Sequence, residues 1–260
     1  MPWWGRVRRT AGARVTVRAR AQTPALGNAH PVNDLPRVAW QRLLSPSAPV
    51  ALVLPGGKAR SEMRPSTLSF GQLRMRPFAT ALVEGLPSVS VGTVQYRHRG
   101  WNAPRQDPAA DVRAVLDALP GDAPVVLIGH SMGGRAGIAA ADHPRVTGVV
   151  GMAPWLPEED GVRAVAGRTV VLAHGSKDRW VHTNLSAEWA RRAQGVPERL
   201  ARFVVEGDNH AMFRHARRWH RLGVLAGAAV LGLGTDPLLE QAFAAGARGE
   251  LAVPLPELTA

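Results

Sequence analysis

Short apolar runs rich in β-branched residues recur through the middle of the chain, at 50–54, 89–94, 125–128, 146–152, 169–173 and 203–205. Stretches with helical spacing lie between and after them, near 71–84, 107–119, 132–142, 184–194 and 211–222. In the second stretch Val112, Val115, Leu116 and Leu119 fall at i, i+3, i+4 and i+7, one apolar helix face. Asp107 or Pro108 starts that helix and Pro120 ends it. Continuous apolar runs alternating with amphipathic helices predict a mostly parallel sheet covered by helices on both faces, an α/β domain over about 37–225. Residues 1–36 carry weak periodicity and read as a basic arm, poorly ordered or with one edge strand in 14–21. Residues 226–260 are expected to form an apolar helix and tail packed on the domain. The run 222–234 is too apolar to lie exposed, and Gly223 and Gly227 in it suit close approach.

Composition narrows the possibilities. With 260 residues and 45% apolar positions, the chain has material for one large core, which excludes wholesale disorder. Cysteine is absent, so there is no disulfide, no thiol nucleophile and no cysteine metal site. The net charge of +12 comes from 30 Arg, only 2 Lys (Lys58 and Lys177) and 20 acids. That skew is a compositional bias, and no specific nucleic-acid partner is expected from it. Six arginines stand in the first 20 residues without an acid, and Arg214, Arg217, Arg218 and Arg221 share one predicted helix. Arg8-Arg9 is not followed by an apolar segment, since Arg14, Arg18 and Arg20 interrupt it, so no export signal is read. The longest uncharged apolar or glycine run, 222–234, has 13 residues. A spanning helix needs roughly 17–25, so no transmembrane segment is expected, and the expected location is cytoplasmic.

Chemistry concentrates in Gly129-His130-Ser131-Met132-Gly133, directly after one strand and opening a helix. A G-x-S-x-G turn there lifts a serine Oγ above the sheet and aims helix N-terminal N–H groups at a developing anion. Ser131 is therefore a candidate nucleophile. Its base must come from nine histidines. His210 sits on Glu206-Gly207-Asp208-Asn209-His210, a short loop after a strand, and can reach across the strand ends. His215 and His220 fall on the next helix, and His130 is expected to point elsewhere. Asp178, on the loop after 169–173, is placed to orient the base. Glu158, Glu159 and Asp160 are its rivals, while Asp208 reads as a support for the histidine loop. An oxyanion hole would be formed by backbone N–H groups of Gly57, in Pro55-Gly56-Gly57-Lys58, and Met132. Lys58 is the alternative to Gly57. Trp101, Trp155 and Trp180 fall near strand ends and are candidate walls of a substrate pocket. No histidine pair carries a metal-ligand pattern, so neither metal nor organic cofactor is expected.

These pieces resemble the α/β-hydrolase fold superfamily over about 37–225, and the chain is similar to small lid-less hydrolases of actinobacterial type that carry G-H-S-M-G-G, here Gly129–Gly134. The loop 54–57, Arg99-Gly100-Trp101, the serine turn, His174-Gly175 with Asp178, and His210 occur in the family's order. Pro55 departs from it, where many members have His before the glycine pair. The resemblance implies a Ser131–His210–Asp178 hydrolase acting on a small-molecule ester or related acyl compound, with thioesterase, amidase or acyltransferase action and a non-enzymatic interaction protein as alternatives. Only 13 residues separate Trp155 from Thr169, too few for the large cap that many hydrolases insert there.

Overall fold

The computed structural model describes residues 35–257. The expected basic arm, with its edge strand, lies almost wholly outside the described residues. Eight strands form one sheet: β1 Arg37–Arg42, β2 Val50–Leu54, β3 Ser90–Gln95, β4 Val125–His130, β5 Val146–Met152, β6 Thr169–Gly175, β7 Arg199–Val205 and β8 Val253–Pro254. Their spatial order is β1-β3-β2-β4-β5-β6-β7-β8. Only the β1–β3 pair is antiparallel. Six α-helices cover the sheet: α1 Phe70–Gly85, α2 Asp107–Ala118, α3 Met132–Ala139, α4 Thr183–Ala193, α5 Ala216–Val230 and α6 Pro237–Ala247.

Alternate residues of the central strands feed two cores. Leu52, Leu54, Val125 and Leu127 pack with residues of α2, α3 and α4. Ala51, Val53, Val126 and Ile128 pack with residues of α1, α5 and α6. Every residue of β2 and β4 is buried, which is why both read as unbroken apolar runs. The sheet winds outward from β2. The chain passes to β3 on one side and returns to β4 on the other. This reversal opens a crevice beyond the carboxyl ends of β2 and β4, where Leu54 pairs with Gly129.

The structure differs from the sequence expectation at the edges and after residue 210. The strand β1 was not anticipated; it is a half-exposed edge with arginine at both ends. The Arg42 side chain donates to the carbonyls of Val83, Leu86 and Val89 and pins it. The helix expected at 211–222 begins instead at Ala216. Met212 has φ +56°, and the His215 N–H is held by Asp208 Oδ2, so 211–215 cannot be helical. The boundary expected at 225 falls inside α5, where Gly223 and Gly227 bring it against Phe78 and Leu82 of α1. The C-terminal stretch then adds α6, whose Asp236 side chain caps the Leu238 N–H, and a parallel strand on β7. No described helix is long and apolar enough to cross a membrane.

Candidate active site

The turn after β4 shows why its residues are small. A Cβ on Gly129 would collide with the Gly133 carbonyl, and one on Gly133 with the Leu54 carbonyl. The strand, the turn and α3 therefore approach as closely as backbone allows. Ser131 sits at φ 54°, ψ −120°, a conformation that L-residues avoid. It is held there by its own N–H on Met152 O at 3.1 Å, and by its carbonyl accepting from the Trp155 N–H at 3.2 Å. Met132 is the first residue of α3, so its N–H has no intrahelical acceptor.

Asp178 is buried at the end of the β6 loop and accepts hydrogen bonds on both oxygens. Oδ1 accepts from the Trp180 and Val181 N–H groups, each at 2.9 Å. Oδ2 lies 2.7 Å from His210 Nδ1 and 3.1 Å from His174 Nε2. Burial pushes the Asp178 carboxyl up, but the hydrogen bonds from His174, His210 and Val181 outweigh it and hold the group well below the usual carboxylate range. His174 Nε2 faces two acceptors, Asp178 Oδ2 and Val181 O, and therefore carries a proton. Its other nitrogen contacts Ser186 Oγ at 2.8 Å. The rivals are elsewhere: Asp160 and Glu159 pair with Arg135. Asp208 accepts from the N–H groups of Asn209, His215 and the Trp219 indole, the loop-supporting part expected of it.

His210 and Ser131 border the same cavity of about 310 Å³, together with Gly56, Gly57, Tyr96, His130 and Trp180. Ser131 Oγ makes no hydrogen bond to another described residue, so the expected contact with His210 Nε2 is not formed in this arrangement. Of the two residues considered for the second oxyanion donor, Lys58 gives its N–H to Arg99 O at 2.8 Å. The Gly57 N–H has no acceptor among the described residues. A Cβ on Gly57 would strike Arg99 O and the Met132 thioether, so this position admits only glycine.

The three tryptophans separate. Trp180 is 74% exposed, walls the cavity and tilts over His210 with ring centroids 5.7 Å apart. Trp101 and Trp155, expected as pocket walls, are not among the cavity's lining residues. They clasp the buried Arg135 guanidinium, at 4.2 and 4.4 Å from their ring centres.

Two residues that hold the His210 loop are not foreseen by the sequence. His130 does not turn away: its ring borders the cavity and its Nε2 donates to His210 O at 3.0 Å. Burial, then the neighbouring His210, push its pKa down to about 3, so the ring is neutral. Its Nδ1 is buried without a partner among the described residues, as is the Tyr96 hydroxyl. Arg74 of α1, also buried, donates to Ala211 O, and to Met212 O at 2.7 Å. Three successive carbonyls, those of 210, 211 and 212, are thus tied by side chains from β4 and α1. Among the described residues no group of three or more His, Asp or Glu side chains could hold a metal ion.

The family model described as the alpha/beta hydrolase family matches residues 52–258. No curated protein matches the sequence. Among solved structures, a predicted CIB-like hydrolase of Thermoplasma acidophilum shares 23% identity, with a TM-score of 0.54 over 73% of this chain and 91% of that one. An esterase of Pyrococcus furiosus shares 15%, with a TM-score of 0.56 over 78% and 89% of the two chains. A Xanthomonas campestris protein described as an α/β serine hydrolase without lid shares 16%, with a TM-score of 0.53 over 77% and 95%. In this chain the segment between β5 and β6 holds only a loop and one 3₁₀ turn, Arg163–Val165. A match over most of the chain, on an eight-stranded sheet wound in this way, makes the chain a member of the α/β hydrolase family.

Proposed function

We propose that the chain is a serine hydrolase that cleaves a carboxylic ester or related acyl compound through Ser131, His210 and Asp178. The observation that carries this reading is the convergence of a strained serine and a carboxylate-bound histidine on one cavity. Asp178 Oδ2 accepts from His210 Nδ1 at 2.7 Å, which leaves Nε2 of the neutral ring free as a proton acceptor. In the reaction His210 Nε2 takes the Ser131 proton as Oγ bonds to the acyl carbon. The carbonyl oxygen becomes an oxyanion between the Gly57 and Met132 N–H groups. The bond to the leaving oxygen then breaks, and His210 returns the proton to it. Water, deprotonated by His210, attacks the acyl-serine, and the same steps in reverse order free the acid and Ser131. The missing Ser131–His210 hydrogen bond fits this scheme, since such bonds are often long before substrate arrives.

The test is turnover of 4-nitrophenyl butyrate and labelling by an alkyl fluorophosphonate. Wild type is expected to do both. Ser131→Ala is expected to lose labelling and nearly all turnover with an unchanged far-UV spectrum. Equal activity in the folded Ser131→Ala protein would refute the assignment.

A further inference from the structure

A second cavity, of about 420 Å³, adjoins the first and shares Trp180 and His210 with it. Ser131, Gly56 and Gly57 border only the first. Three cations, Lys177, Arg179 and Arg214, border the second, and no acid does. They come from two loops, the one carrying Asp178 and the one carrying His210. Among the described residues none of their side chains makes an ion pair or hydrogen bond. The acids nearest in sequence form no ion pair with them: Asp178 binds His174 and His210, Glu206 accepts from Ser176 Oγ, and Asp208 accepts from Asn209, His215 and Trp219. The first cavity adds Lys58 and Arg99, again without an acid. The chain's only two lysines, against 30 arginines, therefore both border these cavities.

Resting on the hydrolase reading, we propose that the second cavity is a subsite for an anionic leaving group, so that the substrate is an ester or thioester whose alcohol or thiol half carries a carboxylate or phosphate. The side is set by the proton. The base that deprotonates Ser131 must later protonate the departing atom, so that atom lies on the His210 side, away from the glycine loop. A cavity that shares His210 but not Ser131 is on that side. Trp180 forms the wall between the two halves. Three cations without an ion-pair partner among the described residues, beside low-dielectric walls, draw an anion in and hold it, and the attraction is screened by salt.

The experiment compares 4-nitrophenyl butyrate with 3-carboxy-4-nitrophenyl butyrate, which differ in the charge of the leaving group. The ratio of their kcat/KM values, carboxylated over neutral, is expected to fall about tenfold in Lys177→Gln/Arg179→Gln/Arg214→Gln, roughly twofold for each exposed ion pair lost. Raising sodium chloride to 0.5 M (roughly four to five times closer screening than dilute buffer) should lower the ratio in wild type but not in the triple variant. Charge-preserving Lys177→Arg should keep it. An unchanged ratio in a triple variant that still turns over both esters would overturn the subsite and leave the hydrolase reading standing. Absence of turnover and of fluorophosphonate labelling in wild type would overturn both. If Ser131 is labelled but neither ester is cleaved, phenyl phosphate must protect it better than phenol, and only with the three cations present; equal protection overturns the subsite. Retention by phosphatidylglycerol vesicles that depends on the cations, with the ester ratio unaffected, would assign them to a lipid surface and overturn it as well.

Discussion

Replacing Asp178 with Asn tests the proposed catalytic unit with little change of volume. The amide has two possible orientations. With its oxygen in the place of Oδ1 it still accepts from the Trp180 and Val181 N–H groups. The reverse orientation would set an NH₂ group against both backbone donors, so the first is strongly preferred. The NH₂ group then faces His210 Nδ1 and the His174 N–H, where Oδ2 stood. It donates to His210 Nδ1, and the ring keeps its proton on Nε2. In that tautomer Nε2 cannot accept from Ser131. The corresponding change in a serine protease lowers kcat about 10⁴-fold, and the same loss is expected here. Stability should also drop, because two hydrogen bonds to a charged acceptor are exchanged for one from a neutral amide and one repulsive contact. At roughly 1.5–3 kcal/mol for a charged hydrogen bond, a fall of about 2–4 kcal/mol is expected. The assays are ester hydrolysis with active-site titration, and urea unfolding of the same preparations. A folded Asp178→Asn protein with kcat within tenfold of wild type would refute the tautomer argument, whatever its stability.

Two further outcomes follow from the groups behind His210. His130 has its pKa pushed down to about 3, so the folded protein cannot take up the proton that the unfolded chain binds near pH 6.5. Its folded-state pKa lies below the unfolded one, so stability is lost as pH falls below about 6.5 and goes on falling to about 3. Between pH 7.5 and 5 this amounts to about 2 kcal/mol, and burial of His220, pushed down to about 4, acts in the same direction. Urea unfolding at the two pH values should show the decline, reduced in His130→Gln; a wild type as stable at pH 5 as at 7.5 would contradict it. Arg74→Leu leaves the half-buried Ala211 carbonyl and the buried Met212 carbonyl without donors. It should cost about 2–4 kcal/mol and lower kcat roughly 10–100-fold through misplacement of His210. Because Arg74 acts through the loop, fluorophosphonate labelling should slow in parallel with kcat while KM changes little; a loss of stability with kcat intact would make it a purely structural residue.

Much of the fold was legible because buried strands and their helices impose local patterns. The strands β2 and β5 match their apolar runs end to end, since every position but one in them is buried. Where the pattern was lost, the burial differs. The edge strand β1 keeps arginine at both ends because its outer side faces solvent. The four N-terminal residues of β7, Arg199–Arg202 in sequence, hide an arginine in the interior. Arg202 is buried and satisfied by Ser186, Thr183 and Leu251, which no apolar count can foresee. The helix α6 had a readable start in Asp236-Pro237. It lies beyond the stretch with a matching motif order, and so reads as tail.

The site divides along a similar line. Ser131, Asp178, His210 and Gly57, the residues of the proposed site, can be named from sequence because each proposed role demands a local setting: a glycine-lined turn, the end of a strand, a bend in a loop. The residues that hold them answer to partners far along the chain. Arg74 meets Ala211 across 137 positions, and His130 meets His210 across 80. Nothing near Arg74 in sequence asks for a cation. The demand comes from 211–212, where the chain turns through a positive φ and leaves carbonyls unpaired. Trp101 and Trp155 show the converse error. Each stands near a strand end, where a pocket wall would be, but the buried Arg135 needs aromatic faces on both sides more than the cavity needs walls. Local sequence thus specifies which groups can react, while long-range pairing of buried polar groups decides whether they are held in a position to do so.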